Sequence, residues 1–199
     1  MTKYNLFTPI SEKDILNLKI GDIVFISGFL TTSRDQAHLR ALEYFRKKKE
    51  VPIDYGNSAL FHCGPVVKKI DNDWTVIAAG PTTSNRMEEV EHEFIRIFNV
   101  RMIVGKGGMG EKTTKSLKEN KAIYCSYTGG AGALAAKAIE RVVKVEWLDL
   151  GIPEAAWTFE VKNFGPCIVS IDSKGNNLYS EVSAKVRENY ERIIKSNTD

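Results

Sequence analysis

Three times along this chain, a short apolar run breaks off in a turn of small and hydroxyl-bearing residues and then leads into a segment of helical period. Asp22–Ser27 passes through Gly28–Thr32 into Arg34–Lys48. Trp74–Ala79 passes through Gly80–Asn85 into Arg86–Phe98. Ala122–Tyr127 passes through Thr128–Ala131 into Ala133–Val143. A strand that feeds a helix through a polar turn, repeated in this way, demands layers of helix on sheet. Further short apolar runs flank this middle: Ala59–Cys63, Val66–Ile70, Lys144–Leu148, Thr158–Asn163 and Cys167–Ile171. The sequence therefore predicts an α/β domain with a mixed sheet, closed by an amphipathic helix at Ser180–Lys195 with Val182, Val186, Tyr190 and Ile193 on one face.

Composition restricts the class. A chain of 199 residues, 43% hydrophobic and 27% charged, fits one compact domain over 1–199. A net charge of +3 does not suit nucleic acid, and the one basic run, Arg46–Lys49, closes a helix where cations suit the dipole. No run approaches the ~20 apolar residues of a membrane span and no signal peptide opens the chain, so a cytoplasmic protein is expected. Cys63, Cys125 and Cys167 lie far apart, without the spacing of a zinc or disulfide framework. Those in strand-like runs read as small buried hydrophobes.

The turns carry the chemistry. Thr82, Thr83, Ser84 and Arg86 stand where a strand gives way to a helix, and a helix start offers unpaired N–H groups and a positive dipole end. Either an anion sits there or the segment is an ordinary cap beside a solvated arginine. At the first turn, Asp35 and His38 share one helix face and Arg34 lies one turn before His38. Such an acid either holds the imidazole tautomer for proton transfer or caps the helix. Gly105–Gly110 matches GxGxxG, but no acidic residue follows at the ribose position; what remains is a glycine turn whose N–H groups and Lys106 suit a carboxylate or phosphate. Loops beyond the carboxyl ends of strands gather at one edge of an open α/β sheet, which predicts a single site for a small anion.

These segments resemble one family. Thr32-Ser33-Arg34-Asp35-Gln36-Ala37-His38 is similar to its T-A-R-D-x-A-H segment, and Gly80-Pro81-Thr82-Thr83-Ser84-Asn85-Arg86-Met87 to its G-P-T-T-x-x-R-M segment. Gly105-Lys106-Gly107, Gly129–Ala133, Gly151–Trp157, Glu160–Pro166 and Ile171-Asp172 follow in order. The chain thus resembles, over roughly residues 10–180, the β subunit or C-terminal domain of class I iron–sulfur fumarate hydratases and L(+)-tartrate dehydratases.

The resemblance implies a swivelling β/β/α-type layered domain. It implies a separate α subunit holding a [4Fe-4S] cluster, whose open iron acts as a Lewis acid, and a hetero-oligomer such as α2β2. It makes the substrate a dicarboxylate, malate/fumarate first and tartrate second; a non-catalytic anion-binding or regulatory module is the reading from another class. Arg86 matches the arginine that grips a carboxylate, beside Thr82, Thr83, Ser84, Arg34, Gly129 and Gly130, and Asp35 with His38 stands as the catalytic acid–imidazole pair. Single-chain relatives place a threonine base, and an arginine one turn on, where this chain has Ala131 and Ala135; Thr128 then takes the threonine's part. They also carry a lysine where this chain has Thr158, so Lys162 or Lys106 fills that role.

Overall fold

The computed structural model describes residues 1–196. β1 (Lys3–Phe7) and a single turn of helix, α1 (Glu12–Ile15), precede β2 (Ile23–Thr32) and α2 (Asp35–Arg46). β3 (Ala59–Phe61) is followed by the hairpin β4 (Val66–Ile70) and β5 (Asp73–Ala78), a 3-10 turn at Ser84–Met87, and α3 (Glu88–Phe98). Then come β6 (Met102–Gly105), α4 (Glu111–Glu119), β7 (Ile123–Ser126), α5 (Gly132–Lys137), β8 (Ile139–Glu146), β9 (Ala156–Ile171) and α6 (Leu178–Ser196).

β1, β2, β3, β6 and β7 run parallel, whereas β9 is antiparallel to β7, β8 and β2. Because β9 pairs with β7 and β2 at once, strands β2, β3, β6, β7 and β9 close on themselves as a five-stranded barrel within the mixed sheet. The mixed α/β sheet is as the sequence predicts; the closure is not legible there. Closure needs one strand long enough to serve several neighbours and able to bend. β9 has 16 residues and bends at Gly165 (φ +156), where an added Cβ would stand 2.8 Å from the Val24 carbonyl oxygen and where the β2 register slips.

The short parallel strands are buried on both faces, which explains their unbroken apolar runs. Ala59, Phe61, Met102, Val104, Ile123 and Cys125 point into the barrel. The alternate residues Leu60, Ile103 and Tyr124 point outward, against Ala37 and Leu42 of α2, Phe94 and Ile95 of α3 and Leu117 of α4. This period-two division gives the fold two cores, and each fully buried large aliphatic or aromatic side chain is worth about 1.5–3 kcal/mol.

Three sequence expectations change. Gly28–Thr32 is not a loop but the second half of β2. The predicted helix Ala133–Val143 stops at Lys137, and its remainder is strand β8, where Val142 and Val145 pack on the barrel core. Thr158–Asn163 and Cys167–Ile171 are one strand rather than two. The apolar face of α6 forms as expected, but Val182, Val186, Tyr190 and Ile193 stand exposed along it. Among the described residues, no helix is long and apolar enough to cross a membrane.

Candidate active site

The carboxyl ends of β2, β3, β6 and β7 lie side by side and send out Ser33–Asp35, His62, Lys106–Gly108 and Thr128–Gly130. The Thr82–Arg86 segment follows β5, which belongs to a separate two-stranded sheet. It nevertheless folds over the same edge: the Thr82 N–H donates to the His62 carbonyl (2.7 Å) and the Ser84 N–H to the Lys106 carbonyl (3.0 Å). The third turn docks onto it, for the Ala79 N–H donates to the Gly132 carbonyl at 2.9 Å. All three hydroxyl-rich turns therefore meet.

At their meeting point stands a cluster of charges. Arg86 Nη2 donates to Asp35 Oδ2 at 2.6 Å and to Thr82 Oγ1 at 3.0 Å. Asp35 also faces Arg34 Nε at 3.4 Å, while that nitrogen lies 2.8 Å from Glu154 Oε1. Glu154 arrives from the Gly151–Trp157 turn, and its Oε2 accepts the Gln36 N–H at the start of α2. The Arg86 side chain is 45% exposed, and Nη2 alone makes both contacts, so most of its five-donor fork faces outward. Lys106 runs beside the third turn: a Cβ placed on Gly129 would stand 3.5 Å from its Cδ and 3.9 Å from its Nζ. Thr83 bridges to Lys106 along the backbone. Thr128, Gly129 and Gly130 are exposed.

Three expected site residues stand elsewhere. Ser84 is fully buried, with its hydroxyl turned inward. Lys162 lies well down β9, next to the Val161 that pairs with Gly28, and so away from this edge. His38 shares a face with Asp35 but does not meet it. Its Nδ1 lies 2.9 Å from Ser33 Oγ and 3.1 Å from the Arg34 carbonyl, and its Nε2 faces Glu91 Oε2 at 3.1 Å. The acid beside His38 is therefore Glu91, not Asp35, because the imidazole turns into the core while the aspartate turns out toward Arg86.

Glu91 also meets His62, whose Nε2 lies 3.0 Å from the same Oε2; His62 Nδ1 contacts Ser84 Oγ at 2.9 Å, and Tyr124 donates its hydroxyl to that oxygen at 3.0 Å. His38, His62 and Glu91 are all completely buried. Burial pushes the His62 imidazole down, against the pull of Glu91. Burial alone would raise the Glu91 carboxyl, but the two imidazoles of His38 and His62 beside it outweigh burial and hold the group well below the usual carboxylate range. The sequence reading missed this trio. The available signal was Glu91 itself, a carboxylate on the same stripe of α3 as Met87, Phe94 and Ile95.

The last donors of the glycine turn are taken from within the chain. The start of α4 is already occupied by Glu88, which accepts the Gly110 N–H at 2.8 Å, the Thr113 N–H at 3.2 Å and the Thr113 hydroxyl at 2.7 Å. The cysteines do not suit a cluster. Cys63, Cys125 and Cys167 are buried in the barrel interior, and among the described residues their three sulfurs do not gather within 4.8 Å of one another as a ligand group.

Comparison with known proteins agrees with the motifs. The family model for the fumarase C-terminus matches residues 1–182. A provisionally named L(+)-tartrate dehydratase subunit beta of Methanocaldococcus jannaschii is 44% identical over 189 residues, covering 94% of this chain and 97% of its own length. The L(+)-tartrate dehydratase subunit beta of Escherichia coli is 41% identical over 190 residues, 96% of this chain and 93% of its own. A provisionally named class I fumarate hydratase of Geobacillus stearothermophilus is 42% identical over 178 residues, 89% of this chain but 34% of that longer protein. With its motifs gathered at one sheet edge and nearly its whole length matched, this chain belongs to the fumarase C-terminal family.

Proposed function

We propose that this chain is the β subunit of an iron–sulfur hydro-lyase that interconverts (S)-malate and fumarate. The observation that carries the reading is the open cationic edge itself. Arg86 and Arg34, from two turns, share Asp35 beside Thr82, while Lys106, from a third, is joined by its backbone to Thr83 and runs beside the Thr128–Gly130 turn. A four-carbon dicarboxylate has two anionic ends, and two cationic grips at one edge hold it in a single orientation. Arg86 is the better grip, because a guanidinium binds a carboxylate through two parallel N–H bonds and a lysine cannot. Asp35 steadies that fork from behind through Nη2. Lys106 and the exposed N–H groups of Gly129 and Gly130 hold the second carboxylate. Thr128 stands at the edge of the same turn and serves as the group that takes the proton from carbon. Buried His38 does not touch substrate on this reading, and Lys106 rather than Lys162 is the site lysine.

The [4Fe-4S] cluster belongs to a separate α subunit, a reading supported by three thiols that do not gather in this chain. The parts given to this chain are therefore binding, orientation and proton transfer. The same reading makes residues 1–199 one domain of the swivelling β/β/α type, working in the cytoplasm in a hetero-oligomer such as α2β2. A second reading, an L(+)-tartrate dehydratase β subunit, is favoured by the names of the two relatives matched over nearly their whole length.

Arg86→Lys in the assembled complex tests the grip. Charge is kept and the fork is lost, so kcat/KM should fall about 10–150-fold, the equivalent of a charged hydrogen bond worth roughly 1.5–3 kcal/mol. Unchanged kinetics would remove Arg86 from the site.

A further inference from the structure

The trio beneath the cationic edge has no part in the chemistry above, yet it touches both turns that carry the arginines. Two chains of contacts converge on one carboxylate oxygen. On one side, Ser33 Oγ meets His38 Nδ1, and His38 Nε2 faces Glu91 Oε2. On the other, Tyr124 donates to Ser84 Oγ, Ser84 meets His62 Nδ1, and His62 Nε2 faces the same Oε2. Ser33 immediately precedes Arg34 and Asp35. Ser84 lies two residues before Arg86.

The direction of the protons follows from the partners. Tyr124 gives its proton to Ser84, and the Ser84 hydroxyl then has His62 Nδ1 within reach as its acceptor. That leaves the His62 Nε2 proton for Glu91. Neither contact to Oε2 counts as a full hydrogen bond, and Oε1 has no hydrogen-bond partner among the described residues. A buried carboxylate held so economically is sensitive to loss of either imidazole. Nor is there room to relax on the Ser84 side, for a Cβ on Gly105 would sit 1.9 Å from Ser84 Oγ.

We infer that Glu91, through His38–Ser33 and His62–Ser84, is the positioning residue that sets the Arg34–Asp35 turn and the Arg86 turn at the spacing that binds substrate. The inference rests on the proposed hydro-lyase reading for its kinetic arm only. Glu91 touches no substrate and acts through the two serines. The glutamine amide in Glu91→Gln keeps the shape but removes the carboxylate charge that both histidine Nε2 atoms face. The effect therefore falls on the geometry of the arginines.

The test uses Glu91→Gln and the milder Tyr124→Phe, in the full chain alone and in complex with the α subunit. For Glu91→Gln the KM for (S)-malate should rise about tenfold or more with kcat within about threefold, and Tyr124→Phe should move KM the same way by less. A fold-maintaining role would instead lower the active fraction, so that kcat falls with KM unchanged, and that result would overturn the inference. Hydrogen exchange of the chain alone gives a readout independent of activity. Faster exchange confined to residues 33–36 and 84–87 supports the inference, and exchange that is unchanged or faster throughout overturns it. If the wild-type complex turns over no dicarboxylate, the hydro-lyase reading fails and the exchange arm still decides this one. Metal analysis closes the remaining route: the three ligand atoms lie within 4.8 Å of one another. A stoichiometric divalent ion, retained against chelator and lost in Glu91→Gln and His62→Gln, would replace the proton network with a metal centre.

Discussion

At the scale of single residues, the division of labour lies between side chains that turn out and side chains that turn in. Asp35 and His38 sit on one helix face in the sequence, yet one reaches Arg86 and the other Glu91. Asp35→Asn should therefore act through the arginine: Arg86 loses its charged anchor, substrate KM rises several-fold, and the His38 surroundings stay as they are. An unchanged KM in Asp35→Asn would show that Arg86 is held by Thr82 alone. The buried trio also sets a pH dependence. His62 has a folded pKa below its unfolded value, so below about pH 6.5 the unfolded chain takes up a proton that the folded chain does not. Stability rises with pH through that window and is lost on acidification. Glu91, also depressed, adds a loss of the same sign below about pH 4.3. The urea midpoint should fall between about pH 7.5 and about pH 5.5, and fall less in His62→Gln. An equal fall in both proteins would contradict a neutral buried His62. The outer residues were legible because Arg86, Thr82 and Lys106 stand in turns that advertise an anion. Glu91 and His62 were not, because their meaning comes from three elements converging in space, and a sequence read one element at a time does not show convergence.

At the scale of elements, hydrophobic period located most strands and helices, and its failures share one cause. Residues 132–146 and 156–171 are sorted by neighbours rather than by local propensity. Ala133–Lys137 is helical by preference, whereas Ile139–Glu146 becomes strand because β9 offers an unpaired edge. Two apolar runs read as separate strands because Asn163-Phe164-Gly165-Pro166 resembles a turn. Instead it is the bend at which one strand leaves β8 and reaches β7. Helix α2 shows the same limit: Ala37, Ala41 and Leu42 are buried as their spacing predicts, but Phe45 is half exposed. Capping is where a remote residue does what a local one usually does. Gly110, at the N-cap of α4, has no side chain, and Glu88 of α3 supplies the carboxylate. Glu88→Ala should cost about 1–2 kcal/mol, as loss of a good cap does, with little effect on KM, measured by urea unfolding of the isolated chain. A stability change within a few tenths of a kcal/mol would mean that water caps α4 as well as Glu88 does.

At the scale of the whole molecule, the fold presents a rigid barrel with its chemistry on one open edge. Five strands close around one core, three helices cover a second, and the turns at the carboxyl ends hold cations at a surface. Two roomy clefts lie elsewhere, one of about 440 Å³ beside Thr8, Phe29 and Lys144 and one of about 500 Å³ beside Lys115 and Lys174. An exposed half-site of this kind is what a subunit contributes when its partner brings the other half, and this is the central claim. The measurement that tests it most directly compares this chain alone with the chain co-purified anaerobically with its α subunit, each supplied with iron and sulfide. Bound iron, (S)-malate dehydration and L(+)-tartrate dehydration are recorded for both. The account predicts no cluster and no turnover in the lone chain, and in the complex a cluster with turnover of malate, or of tartrate if the second reading holds. A lone chain that assembles a stoichiometric cluster and dehydrates malate, or a complex that carries its cluster yet turns over neither acid, would contradict it.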